Sequence, residues 1–146
     1  MKKYELTSQF VTNVFGTKLF RIKALVSFGD VSEGDIGGYI EKEKNLSHES
    51  DAWVSGNAQV YGDAQVCGDA WVCGQKDYSC TNGLGSIGST TFFRTKDGGV
   101  TVSCGCFSGT ISEFRENVKE AHKDTKLAKE YLMLADLMEY HFLEED

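Results

Sequence analysis

Residues 52–75 read AWVSGN-AQVYGD-AQVCGD-AWVCGQ, four hexapeptides in a single register. Ala52, Ala58, Ala64 and Ala70 share one phase, Val54, Val60, Val66 and Val72 another, and Gly56, Gly62, Gly68 and Gly74 a third. A six-residue period of small-x-aliphatic-x-Gly-polar is the pattern of a parallel β-helix coil. Ala and Val, two apart, fall on one inward side of a short strand. Gly and the polar residue after it then turn the corner, where positive φ is tolerated. Upstream, Ile40 (IEKEKN) and Leu46 (LSHESD) continue the Ala phase in degenerate form, giving six hexads over residues 40–75. Two coils are too few to be stable alone, since stacks of this kind need about three or more repeats. The pattern therefore predicts caps at both ends, a partner copy, or both.

If Ala and Val face in, Trp53, Gln59, Gln65 and Trp71 face out, with Ser55, Tyr61, Cys67 and Cys73. Trp53 and Trp71 are 18 residues apart and are expected one above the other on one face. Exposed aromatics in a row mark a contact surface. Flanking segments of the same chain or a homotrimer interface would cover them; the alternative is a partner surface anchored by Trp and Tyr.

A net charge of −7 argues against direct binding to a nucleic-acid backbone. Acidic pairs stand at Glu33/Asp35, Glu41/Glu43 and Glu49/Asp51, with Glu144, Glu145 and Asp146 at the end. Solvated surface explains them; a nucleic-acid mimic docking on a basic groove is the sharper alternative. Five Cys is an odd number, and neither a secretory leader nor a membrane-length apolar run is seen. The expectation is a cytoplasmic chain with reduced thiols and no membrane partner.

Four segments follow. Residues 1–39 form an N-terminal cap, with a short strand and a helical turn in 1–15 and an alternating strand in KLFRIKALV. Residues 40–75 are the repeat. Residues 76–89 (KDYSCTNGLGSIGS) are a Gly/Ser-rich connector. Residues 90–146 form a ββαα module: TTFFR and VTVSCGCF flank the tight-turn signal KDGG. Thr110 and Glu113 make a capping box. Phe114, Val118 and Ala121 give the stripe of one helix. Leu127, Tyr131, Leu134, Met138 and Phe142, widened by Ala128, Leu132 and Ala135, give a second. A stripe this broad implies burial on two sides, against the hairpin and the repeat, or against another subunit.

The hexads resemble the left-handed β-helix, hexapeptide-repeat family. The stretch from YELT to VYGDAQVCGDA is similar to hexapeptide-repeat proteins of bacteriophages and prophages. The stretch from TTFFRTKDGG to LMEYHF is similar to a C-terminal hairpin-plus-helices module often attached to them. The resemblance implies a mainly β fold with α: a short left-handed parallel β-helix, an N-terminal capping strand, and a C-terminal β-hairpin with two α-helices. It implies phage origin but carries no settled activity, so it transfers no functional residue.

Three constellations bear on chemistry. Hexapeptide-repeat enzymes are often acyltransferases with a catalytic His, but His48, the one His on the repeat, has no carboxylate evidently arranged to orient it. Cys104-x-Cys106, with Cys80, His122 and His141, falls short of usual zinc spacing, so no metal is expected. GLGSIGS at 83–89 lacks the strand and helix that a dinucleotide loop requires. With Arg94 and Lys96 it would hold a small anion in an oligomer cleft. The expectation is a homo-oligomer, trimer or dimer, with no catalytic residue and no cofactor. It is read as a non-enzymatic phage accessory protein in the cytoplasm of the bacterial host. It would bind and neutralise a component of antiviral defence. A protein target points to Trp53, Trp71 and Tyr61, and a nucleotide signal to Arg94 and Lys96. The alternatives are a small acyltransferase and a virion structural or assembly protein.

Overall fold

A computed structural model describes residues 2–84, 89–104 and 107–142. Strands β1 (Tyr4–Thr12) and β2 (Lys18–Ala24) form a long antiparallel hairpin. The expected helical turn in 1–15 is absent, because β1 stays extended up to the turn at Asn13–Gly16. Asn13 Oδ1 accepts from Phe15 N and Thr17 N there. β2 also pairs antiparallel with β3 (Ile36–Ile40). Next come the two-residue strands β4 (Trp53–Val54), β5 (Gln59–Val60) and β6 (Trp71–Val72). β3 pairs parallel with β5, completing a mixed sheet ordered β1-β2-β3-β5, and β4 pairs parallel with β6. Strands β7 (Tyr78–Asn82), β8 (Ser89–Arg94), β9 (Val100–Cys104) and β10 (Phe107–Gly109) make an antiparallel meander. Helices α1 (Ile111–His122) and α2 (Lys126–Phe142) follow.

The left-handed parallel β-helix is therefore corrected. The described residues form a mixed sheet, an antiparallel sheet, a two-stranded pair and two helices, with no continuous parallel solenoid. Parallel pairing is confined to short rungs: Tyr39↔Gln59 with Ile40↔Val60, the bridge Leu46↔Val66, and Trp53↔Trp71 with Val54↔Val72. Two local causes are visible. The first two rungs pair residues 20 apart and the third pairs residues 18 apart, so two extra residues lie between Leu46 and Trp53. That places Ile40 and Leu46 opposite Val60 and Val66, in the Val phase rather than the Ala phase. At the far end, Gly56, Gly62 and Gly68 turn their corners at φ of 61, 67 and 63°, whereas Gly74 is extended at −159° and the chain leaves.

The interior holds two apolar clusters. All four Ala and all four Val of the hexads are buried in the first, with Tyr4, Ile22, Ile40, Leu46 and Trp53. The second joins β8 and β9 to both helices through Phe92, Val102, Phe114, Val118, Tyr131 and Phe142. β8 is the wall between them: successive side chains alternate across a strand, so Phe93 enters the first cluster and Phe92 the second. Helix α1 begins at the capping box, where Thr110 Oγ1 accepts from Glu113 N at 3.1 Å and Glu113 Oε1 from Thr110 N at 2.9 Å.

A polar pin holds the first two rungs together. Asn45 is fully buried; its Oδ1 accepts from Glu41 N and Lys42 N, and its Nδ2 donates to Gly62 O and Ala64 O. All four hydrogen-bonding positions of the amide are filled, which is what makes a buried amide tolerable.

Candidate functional site

Of the five residues singled out in the sequence, Trp71 pairs with Trp53 and shares a cleft with Lys96, while Tyr61 and Arg94 lie elsewhere. Trp53 is only 3% exposed, so its expected outward face is corrected. Phe28 packs edge-on against it with ring centroids 5.4 Å apart, and Gly37 lies so close that an added Cβ would sit 2.7 Å from the indole. The segment that follows β2, through Phe28 and Gly37, thus covers Trp53, as a short stack requires. Its partner Trp71, directly paired with it through the backbone, stays half-buried.

Trp71 lines a cleft of about 290 Å³ with Gly29, Asp30, Asp51, Asp69, Ala70, Lys96 and Asp97. Three local structures build it. The 28–31 turn, closed by reciprocal hydrogen bonds between Phe28 and Val31, has Gly29 at φ 51° and presents Asp30. The β8–β9 turn is closed by Thr95 N to Gly99 O at 2.9 Å and Gly98 N to Thr95 O at 3.0 Å. That turn is tied to the rungs by the bridge Ala70↔Thr95 and by Lys96 N donating to Asp69 O at 3.0 Å. The Lys96 ammonium consequently lies 5.7 Å from the Trp71 ring centroid and pairs with Asp30. Asp97 accepts from the Thr95 hydroxyl and from Gly99 N, and these bonds hold its carboxyl below the usual range.

Four carboxylates against one ammonium, around a half-buried indole, make the cleft attractive to a cation. A guanidinium or ammonium can lie on the ring while a carboxylate accepts its protons. An anion has no comparable welcome, since both sequence-nominated cations are already paired. Arg94 is elsewhere: its Nε is 3.4 Å from Asp77 Oδ1, and its guanidinium lies 5.3 Å from the Phe142 ring, strapping α2 to β8. Tyr61 lines a separate groove of about 280 Å³ with Gly62, Asp63, Tyr78, Ser79, Cys80 and Asn82. Burial pushes the Tyr78 phenol and the Cys80 thiol up, away from ionisation.

The remaining chemistry-bearing residues are structural in placement. His48 Nδ1 accepts from Lys3 N at 3.1 Å, its Nε2 lies 2.8 Å from Glu43 Oε1, and its ring stacks on Tyr4 at 4.1 Å. Both ring nitrogens are thereby engaged, with a carboxylate on one of them that the sequence did not reveal. His122 leans on Tyr131, and His141 Nε2 is 3.1 Å from Lys76 O. Cys104 is buried against Thr90 Oγ1 at 3.2 Å, while Cys106 lies outside the described residues, as do residues 85–88 of the Gly-rich loop and Glu144, Glu145 and Asp146. Among the described residues no group of three or more His, Cys, Asp or Glu is arranged to hold a metal. No helix among them is long and apolar enough to cross a membrane.

Sequence reading found Trp71 and Lys96 but missed Asp30, Asp51, Asp69 and Asp97 as their company. Asp51 and Asp69 stand 18 apart, one residue ahead of Ala52 and Ala70, and that spacing was available as a signal. No family model matches the chain, and a search of curated proteins returned no match.

Proposed function

We propose that this chain is a non-enzymatic phage accessory protein that binds and neutralises a protein of the host's antiviral defence. Its cleft at Trp71 receives a basic side chain of that target. The observation that carries this reading is the meeting of the half-buried Trp71 indole with Asp30, Asp51, Asp69 and Asp97 in one concave site. Tryptophan is among the favoured anchors of protein interfaces. Carboxylates around the anchor raise the encounter rate with a basic partner. A nucleotide signal is the weaker alternative, because Arg94 and Lys96 face different carboxylates and do not converge on one anion site. Acyltransfer is disfavoured by the engagement of both His48 nitrogens.

The test uses tryptophan fluorescence of a Trp53→Phe background, in which Trp71 is the remaining indole. Titration with a short arginine-rich peptide is expected to change the emission, with an affinity that falls as salt rises. Host protein retained by the wild type in native mass spectrometry should be lost in Trp71→Ala and in Asp30→Asn/Asp69→Asn. A nucleotide mixture should add no mass. Retention indifferent to these changes, or a nucleotide carried by the wild type, would overturn the reading.

A further inference from the structure

We propose that the outer face of α2 is a self-association surface, on which two copies of this chain pair antiparallel about Met133. The inner face of the helix is already committed: Ala128, Tyr131, Ala135, Met138 and Phe142 are buried in the second cluster. On the opposite side Met133, Leu137 and Tyr140 are 69, 58 and 77% exposed. Their spacing of four and three places them in one stripe. Lys129 and Lys126 extend that stripe toward the helix N-terminus with the same spacing. Three large apolar side chains in a line on a solvent face are an interaction surface rather than scattered exposure.

Charge complementarity selects the occupant. The stripe is graded: two ammonium groups, then two aliphatic side chains, then an aromatic ring, with Asp136 on the same flank as Lys129. A second copy laid antiparallel with Met133 on the two-fold axis sets Lys126 opposite Tyr140, where an ammonium meets a ring face. It sets Lys129 opposite Leu137, beside the partner's Asp136. A two-fold interface makes each of these contacts twice. A parallel pair would set Lys126 on Lys126 and Lys129 on Lys129, so the grading itself specifies direction. Asp136 already meets Arg115 at 2.7 Å, yet its side chain is 73% exposed and can accept a second cation.

Sedimentation velocity of the full chain over a wide concentration range tests this. The wild type is expected to shift from monomer to dimer as concentration rises. Met133→Glu and Leu137→Glu, both at exposed positions, should each raise the dimer Kd roughly tenfold or more while leaving the thermal melt in place. Lys129→Asp should weaken the dimer, and the swap Lys129→Asp/Asp136→Lys should restore it, since Arg115 keeps Glu139 at 3.1 Å. A wild type that stays monomeric throughout overturns the proposal, even if the stripe recruits another protein. So does a dimer indifferent to Met133→Glu and Leu137→Glu, or one that the charge swap does not restore.

Discussion

Lys3 offers the sharpest quantitative test of the fold. Its side chain is almost wholly buried, and its Nζ donates to Ser50 O and Ala52 O at 2.7 Å each, 4.4 Å from the Phe28 ring centroid. Burial lowers its pKa from 10.5 to about 8, with Asp51 opposing. Replacing it by Met keeps an unbranched side chain in the same space and removes both the ammonium over Phe28 and the titration. At pH 7 both folded and unfolded wild type hold the proton, so Lys3 contributes no slope there. Between about pH 8 and 10.5 the unfolded chain holds a proton that the folded chain has released, so stability rises with pH. At about 1.4 kcal/mol per pKa unit, the shift corresponds to a rise on the order of 3 kcal/mol across that window. The assay is urea unfolding at intervals from pH 7 to 10.5 under reductant, read as wild type minus Lys3→Met, so that groups common to both cancel. The difference should be flat below pH 8 and then move in the wild type's favour. A difference that is flat throughout, or that falls with pH, would refute the buried-ammonium argument.

Gly37→Ala should destabilise by about 2–3 kcal/mol or more, since its Cβ would meet Val54 O, Ile22 Cγ1 and the Trp53 ring at 2.6–2.7 Å. Gly62→Ala, in open space at φ 67°, should cost only about 1 kcal/mol in the same urea titration. Asn45→Ala leaves Gly62 O, Ala64 O and Lys42 N short of a partner and should cost roughly 3 kcal/mol or more, read by denaturant midpoint. Thr110→Ala removes the α1 cap and should lower stability by about 1 kcal/mol. The two tryptophans should part company: Trp53→Ala empties core and costs about 3–5 kcal/mol, whereas Trp71→Ala, at a half-buried ring packed on the rim of the same cluster, should cost clearly less and abolish peptide binding.

Local signals survived contact with the structure better than global ones. The inward set of the hexads was legible because the alternation of Ala and Val depends only on strand geometry. The capping box and the buried stripe of α2 were legible for the same reason. The β-helix was not, because a regular repeat of four hexads says nothing about the two residues added between Leu46 and Trp53. Nor does it reveal that β2 claims β3 from the other side. Nothing in the hexad IEKEKN sets Asn45 apart; its role depends on Gly62 and Ala64, which come to it through a parallel rung. The cleft at Trp71 was half legible. Its indole and ammonium were nominated, but Asp30 arrives from a turn 41 residues before Trp71 in the chain.

Trp53 and Trp71 occupy the same place in the repeat and pair residue to residue, yet one is interior and the other half-buried at the rim of a cleft. The difference lies wholly in what each meets. Trp53 meets Phe28 and the backbone of Gly37, apolar neighbours fixed by the antiparallel arm of β2 and β3. Trp71 meets the β8–β9 turn, a polar loop held by the Ala70↔Thr95 bridge, and so keeps an open face beside charge. Identical repeat chemistry has thus been divided into a core residue and a candidate recognition residue by its flanks. A cover of apolar side chains converts an aromatic ladder into stability. A cover of one turn bearing Lys96 and Asp97 leaves room for a cation from outside. The same division explains why the acidic groups gather at one Trp only: carboxylates beside Trp53 would have to be desolvated under Phe28, whereas Asp30 beside Trp71 stays largely in water and is paired with Lys96.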